Sequence, residues 1–193
     1  GASPRTANVL IILVLLPVWT SVLVRTTAWI ALIQTNGVVN SLLMWSGLIS
    51  EPLEMLYTEL ATVLIMTHIL LPFMILPLYA AMKGIDPSLM AAAQNLGGTP
   101  AQAFRRVFLP LTYPGIGAGT LIVFMLSIGY FVTPALLGGL KETFIAQLIE
   151  QQVNVLIDWN FAAALAVLLL AVTLAIYYLF NRLLGLDRIW GGV

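Results

Sequence analysis

The sequence predicts an all-α membrane protein, a polytopic helical bundle. Three observations carry that reading. Of 193 residues, 61% are hydrophobic and only 8% are charged, against about 25% charged residues in a soluble domain. About four apolar stretches are long enough to cross a hydrocarbon core of ~30 Å at ~1.5 Å per residue. Between the second and third lies residues 86–110, which fits neither a span nor a short turn and carries helix starts and stops of its own.

Residues 6–24, between Arg5 and Arg25, are uncharged. No small-residue cleavage box follows and a single basic residue precedes them, so the run reads as a span and not as a signal peptide. Apolar character resumes after Arg25 as far as Ile33. This predicts one tilted span over about 7–33, kinked or ended at Pro17. Gln34-Thr35-Asn36-Gly37 is a polar corner. Residues 38–50 are apolar but too short to cross, which suits a re-entrant or interface-lying helix. Glu51, Glu54 and Glu59 form an acidic border. The uncharged run 60–82 predicts a second span, about 58–82, which Pro72 and Pro77 should bend in its second half. A third span is expected over about 116–136, beginning after Pro114-Gly115. Gly115, Gly117 and Gly119 permit close helix contact near its start, and the stretch 129–139 breaks its end. Lys141 to Asp158 reads as an external loop with a short helix, and 159–182 as the fourth span. The whole of 1–193 reads as a single transmembrane domain without internal repeats.

Within 86–110 the punctuation is local and strong. Asp86-Pro87 is a helix start: the Asp side chain caps free N–H groups and proline fits the first turn. Leu89, Ala92, Ala93 and Leu96 fall at i, i+3, i+4 and i+7, on one helix face. Gly97-Gly98 stops that helix, because glycine takes the left-handed conformation without steric penalty. Thr99-Pro100 repeats the start. A second short helix carries Ala103, Phe104, Val107 and Phe108, with Arg105-Arg106 near its end, and Leu109-Pro110 closes the unit. A plain amphipathic connector has the same small-residue face, but an apolar face outside the membrane asks for a cover.

Composition excludes several chemistries. The chain has no cysteine and one histidine, so thiolate sites, disulfides and a histidine-based metal cluster have nothing to build from. No phosphate-binding glycine loop ending in Lys-Ser/Thr is present, so ATP hydrolysis by this chain is not expected. Eight basic residues balance eight acidic ones, so net charge says nothing about a polyanionic partner; no nucleic-acid partner is expected. With the 83–106 loop placed inside the cell, that side holds Arg5, Lys83, Arg105, Arg106, Arg182 and Arg188, while the other holds Lys141 and Arg25. Basic residues concentrate on the cytoplasmic side of membrane proteins.

The spacing in 86–110 resembles the coupling loop of permease subunits of binding-protein-dependent ABC importers: E-A-A, three residues, G, nine residues, I, one residue, L-P. Ala92 and Ala93 match the two alanines, Gly97 the glycine, Val107 the isoleucine and Leu109-Pro110 the ending. Ala91 stands where the family carries glutamate. The stretches 15–43, 75–89 and 130–139 are similar to the spermidine/putrescine-type branch. The resemblance implies the MetI-like permease fold and a multi-pass place in the bacterial inner membrane. It implies partners: separate ABC ATPase subunits that carry ATP, a sister permease, a periplasmic solute-binding protein and the lipid bilayer. No cofactor is expected on this chain. Ala91, Ala92, Ala93, Leu96, Gly97 and Arg105 would couple to the ATPase. The solute would be polyamine-like or a related small organic molecule, moved by alternating access. Members of that branch usually have six spans. The chain begins Gly-Ala-Ser-Pro without methionine, and the two further spans are expected before residue 1.

Four residues are candidates for the solute pathway: Tyr130, Thr133, His68 and Trp19. Tyr130 and Thr133 stand where a span breaks, and broken helices line transporter cavities. A helix end without a ligand explains them equally. His68 is ionisable in mid-span, which marks function by default, or it is a neutral histidine bonded to a neighbouring helix. Arg25 faces headgroups, holds a packing contact or lines the pathway. Trp19, Trp29 and Trp45 fit the aromatic belt at the membrane boundary. The alternative functions are a secondary transporter or channel fragment without an ATPase, and a non-transporting scaffold. The first needs paired intramembrane charges, for which only His68 and Arg25 qualify. The second leaves the apolar loop face unexplained.

Overall fold

A computed structural model describes residues 4–138 and 143–184, apart from the side chains of Pro4, Leu183 and Leu184. The expectations placed on Gly139, Lys141 and Arg188 lie outside the described residues. The described residues form helices and connecting turns, with no strand. In order these are α1 (Pro4–Leu15), a 3₁₀ turn (Leu16–Trp19), α2 (Val22–Ile33), α3 (Val38–Trp45) and α4 (Glu59–Lys83). There follow α5 (Pro87–Asn95), α6 (Pro100–Ala103), a π turn (Phe104–Phe108), α7 (Leu109–Ile128), α8 (Val132–Leu137), α9 (Ile145–Asn154) and α10 (Trp159–Leu184). Four stretches are long and apolar enough to cross a membrane: Val22–Trp45, Glu59–Lys83, Pro100–Ile128 and Trp159–Arg182.

The first expected span, 7–33, is two helices of 12 residues each. Each is about 18 Å long, too short to cross alone. Pro17 is the cause. Its ring fixes φ and removes a donor, so the chain tightens into the 3₁₀ turn. Thr20 is then extended, and its N–H and Oγ1 both donate to the Pro17 carbonyl, at 3.1 and 2.7 Å. The apolar run 38–50 yields only the eight residues of α3. Gly37 turns the corner between α2 and α3, where a Cβ would stand 2.8 Å from the Gln34 carbonyl. The third span also departs from 116–136. α7 continues without a break from α6 and the π turn, and it ends at Ile128. Pro110 therefore lies inside a continuous helix, and the donor it lacks is accommodated by the π turn just before it, so the proline read as a stop interrupts nothing.

The chain divides into two compact units, Gly1–Pro72 with Ser127–Leu169, and Phe73–Leu126 with Leu170–Val193. The first unit is built around Ile33, Ala61, Ile65, Ile69 and Leu137, with Trp29, Val39, Met55 and Tyr130 packed on them. Ala61, Ile65 and Ile69 recur every four residues along α4, which gives that helix one packed face. Thr26 on α2 and Thr133 on α8 are fully buried, their hydroxyls 3.1 Å apart. Asn40 is buried too. Its Nδ2 donates to the carbonyls of Thr35 and Leu53, at 3.1 and 2.9 Å, and its Oδ1 accepts the Leu53 N–H at 2.9 Å. One side chain thus satisfies three backbone groups that no helix reaches.

In the second unit the Phe73–Lys83 half of α4 packs on α7. Gly115 and Gly119 make the close approach possible. A Cβ at Gly115 would stand 2.9 Å from the Pro77 carbonyl, and one at Gly119 would stand 3.1 Å from the Met74 carbonyl. Contacts of that kind bind the two helices backbone to backbone.

Candidate functional site

The segment between α4 and α7 is a two-helix knob closed by backbone chemistry at each end. Asp86 caps α5: its Oδ1 accepts the Ser88 N–H at 2.8 Å. That N–H, with the Ser88 hydroxyl, holds the Asp86 carboxyl below the usual carboxylate range. At the other end Gly97 has φ +88°. Its N–H donates to Gln94 O at 2.9 Å, and the Gly98 N–H donates to Ala93 O at 3.1 Å. Those two crossed bonds are a Schellman closure, which satisfies carbonyls that the last helical turn leaves free. The chain restarts at once. Thr99 Oγ1 accepts the Gln102 N–H at 3.3 Å while Gln102 Oε1 accepts the Thr99 N–H at 2.9 Å, a reciprocal capping box. α5 folds back on α6 and the π turn.

The knob presents a small-residue surface. Ala91 and Ala92 are exposed and Ala93 is partly so. Leu96 stands at the corner, 90% exposed. Nothing lies within 4 Å of a Cβ built on Gly97. Arg105 and Arg106 are exposed on the π turn. Leu89 looks elsewhere: it lines an apolar groove of about 860 Å³ with Pro77, Ala81, Pro114 and Gly115 at the root of the knob. Leu109-Pro110 does not close the unit, contrary to the sequence reading. The Leu109 N–H donates to Phe104 O, a wide turn that passes directly into α7. Phe104 and Phe108 stack across it, with ring centroids 5.4 Å apart.

The pathway candidates fall in three settings. Tyr130 lies in the break between α7 and α8, its N–H on Ser127 O at 3.2 Å and its ring against the first unit's core. Thr133 is committed to Thr26. His68 Nδ1 accepts the Trp29 indole N–H at 3.2 Å, with the rings edge-on and 5.3 Å apart. Trp29 is therefore partly buried inside the first unit and leaves the aromatic belt expected of it. Trp19 and Trp45 are 90% and 87% exposed. Neither Thr26 nor Asn40 was singled out by sequence, and no local pattern marks them. The Thr99–Gln102 box was legible as Thr-x-x-Gln.

Comparisons with known proteins identify the family and the fold. The family model described as binding-protein-dependent transport system inner membrane component matches residues 4–187. The spermidine/putrescine transport system permease protein PotB of Haemophilus influenzae is 38% identical over 185 residues, which cover 94% of this chain and 65% of that protein. The inner membrane ABC transporter permease protein YdcU of Escherichia coli is 37% identical, with 90% of this chain and 58% of that protein covered. The chain thus spans less than two thirds of the length of these relatives. A crystal structure of a bacterial ABC transporter involved in the import of the acidic polysaccharide alginate shares the fold, with a TM-score of 0.74 at 21% identity over 95% of this chain and 67% of that one. The chain belongs to the family of inner membrane components of binding-protein-dependent transport systems, a multi-pass protein of the ABC importer permease, MetI-like fold.

Proposed function

We propose that this chain is the membrane-spanning subunit of an ATP-driven importer for a polyamine-like solute, coupled through the 86–110 knob to an ATPase on the cytoplasmic side. The observation that carries the reading is the knob: a corner capped at both ends that exposes Ala91, Ala92, Gly97 and a fully presented Leu96, flanked by the polar Gln94 and Asn95. Small residues let a partner backbone approach closely, and the apolar tip needs a cover. In this reading the chain neither activates water nor binds a nucleotide. The chain's part is mechanical.

The fold suggests how a push would travel. The knob is joined covalently to α4 at one end and to α7 at the other. α6, the π turn and α7 run without interruption from Pro100 to Ile128, 29 residues, or about 43 Å. Gly115 and Gly119 hold α7 against α4. Force on Leu96 therefore moves both helices together, which is the element alternating access requires. The cation-type cargo rests on relatives whose names specify spermidine and putrescine. A sister permease, a solute-binding protein and two ATPase subunits complete the assembly.

Two experiments test the parts separately. Ala92→Trp puts a bulky ring on the exposed α5 face, and it should strip the ATPase from the purified complex without unfolding the permease. Retention of the ATPase at the wild-type level contradicts the coupling role. Uptake of labelled putrescine and spermidine by vesicles holding the whole complex tests the solute class. Transport of neither, with transport of an unrelated solute, contradicts it.

A further inference from the structure

Arg25 lies in the first turn of α2, and two of its three guanidinium nitrogens are buried without an acceptor. Nε and Nη1 are closed off from solvent without a hydrogen-bond partner, while the side chain as a whole stays partly exposed. Desolvated charge is costly unless it is paired.

Depth sharpens the problem. The Trp29–His68 bond, 3.2 Å long, puts Trp29 roughly level with His68. His68 is nine residues beyond Glu59, the first residue of α4, hence about 13 Å down its axis. α2 points back toward the Glu59 end, since its last residue, Ile33, packs with Ala61 and Ile65. Arg25 comes one turn before Trp29, so it lies about 5 Å deeper still. That is near the middle of a 25-residue helix about 37 Å long.

No described acid pairs with Arg25. Glu51 and Glu54 precede α4 and Glu59 opens it. Asp86 lies past its other end. Glu150 is on α9, and Asp158 caps α10 by accepting the Phe161 N–H at 3.0 Å.

We propose that Arg25 is half of an ion pair between subunits, and that its counter-charge is a carboxylate on a membrane span of a second, companion permease chain. An arginine inside a membrane pairs, or it faces water. Choosing a protein carboxylate over an anionic solute rests on the polyamine reading above, because a polyamine carries no acid. The spans also leave room for a neighbour: beyond Ala162 no described side chain of α10 is buried. Similarity extends to the PotC permease protein of Escherichia coli, 29% identical over 130 residues, as well as to PotB, so two permease chains of one named system share this chain's pattern.

The test uses the whole complex with an affinity tag on this chain, and it reads the amount of companion permease recovered in detergent. Arg25→Gln should lower that recovery roughly thirtyfold or more, the change expected when one partner of a desolvated pair is removed. Arg25→Lys should keep most of it. Arg25→Glu should be rescued by reversing one membrane acid of the companion to Lys. Should Arg25→Gln fail to accumulate in membranes, the reversal pair decides. Rescue supports the ion pair, and no rescue at any membrane acid of the companion overturns it. Companion recovery at the wild-type level in Arg25→Gln overturns it as well. In that case a loss of uptake with assembly intact would assign Arg25 to the solute path. Recovery is measured without solute, so a failed polyamine assignment shows in wild-type uptake and leaves this readout untouched.

Discussion

Gly97 is the position where the knob is most open to a clean perturbation. Its φ of +88° is a conformation that L side chains avoid. An added Cβ would meet nothing within 4 Å, so no collision confuses the result. The penalty for Gly97→Ala is then conformational alone, about 1–2 kcal/mol. That shifts the corner about five- to thirtyfold toward a frayed form. Two bonds open together: Gly97 N–H to Gln94 O, and Gly98 N–H to Ala93 O. Asn tolerates the left-handed region and should lose least, while the β-branched Val should lose most. Hydrogen exchange at the last α5 amides, measured in the assembled complex, should rank the variants Gly, Asn, Ala, Val from most to least protected. ATPase stimulation by the solute-loaded binding protein should fall in the same order. Unchanged protection in Gly97→Val, or Asn as damaging as Val, would refute the reasoning.

Three further outcomes follow. Gly115→Ala should destabilise the detergent-solubilised protein by about 1–3 kcal/mol, because its Cβ would press on the Pro77 carbonyl at 2.9 Å. Gly129→Ala, with nothing within 4 Å, should stay within about 0.5 kcal/mol of wild type. Equal melting shifts would contradict the packing description. In a double-mutant cycle of Thr26→Val and Thr133→Val, the two hydroxyls should couple by about 0.6–1.7 kcal/mol, and a coupling indistinguishable from zero would sink that contact. The Asp86 carboxyl is held below its ordinary range by the Ser88 N–H. The stability it lends α5 is therefore complete above the unfolded value of about 3.9 and drains away as pH falls through the lower folded value. Protection of the first α5 amides, taken relative to intrinsic exchange at each pH, should fall only in that acid window. A change in that protection between pH 6 and 8 would contradict the cap.

The knob was largely legible because its chemistry is local. Asp86-Pro87, Gly97-Gly98 and Thr99-Pro100 each state a helix boundary in two adjacent residues, and the structure honours all three. The segment's ending was not legible. Leu109-Pro110 reads as a stop, but a proline just after a π turn can be carried inside a continuous helix, and composition does not separate the two. The first span was legible in part. The run 7–33 was read as one span kinked or ended at Pro17, and the break does fall at Pro17 and Thr20, but hydropathy counts apolar residues and did not show that neither half is long enough to cross alone. Thr26 with Thr133 and Trp29 with His68 meet across 107 and 39 residues. Nothing in one chain's local pattern announces such pairs. Trp29 was assigned to the membrane boundary on residue type alone, and its partner moved it inward.

The central claim is that the corner at Leu96–Gly97 lies inside the cell in the grip of an ATPase. The chain has no cysteine of its own, so Leu96→Cys gives a single thiol at a site 90% exposed. In inside-out vesicles holding the complete complex, this thiol should react with a membrane-impermeant maleimide only after the ATPase is stripped away. With the ATPase present it should cross-link to it. Labelling from the external face of right-side-out vesicles, or equal labelling with and without the ATPase, would contradict the account.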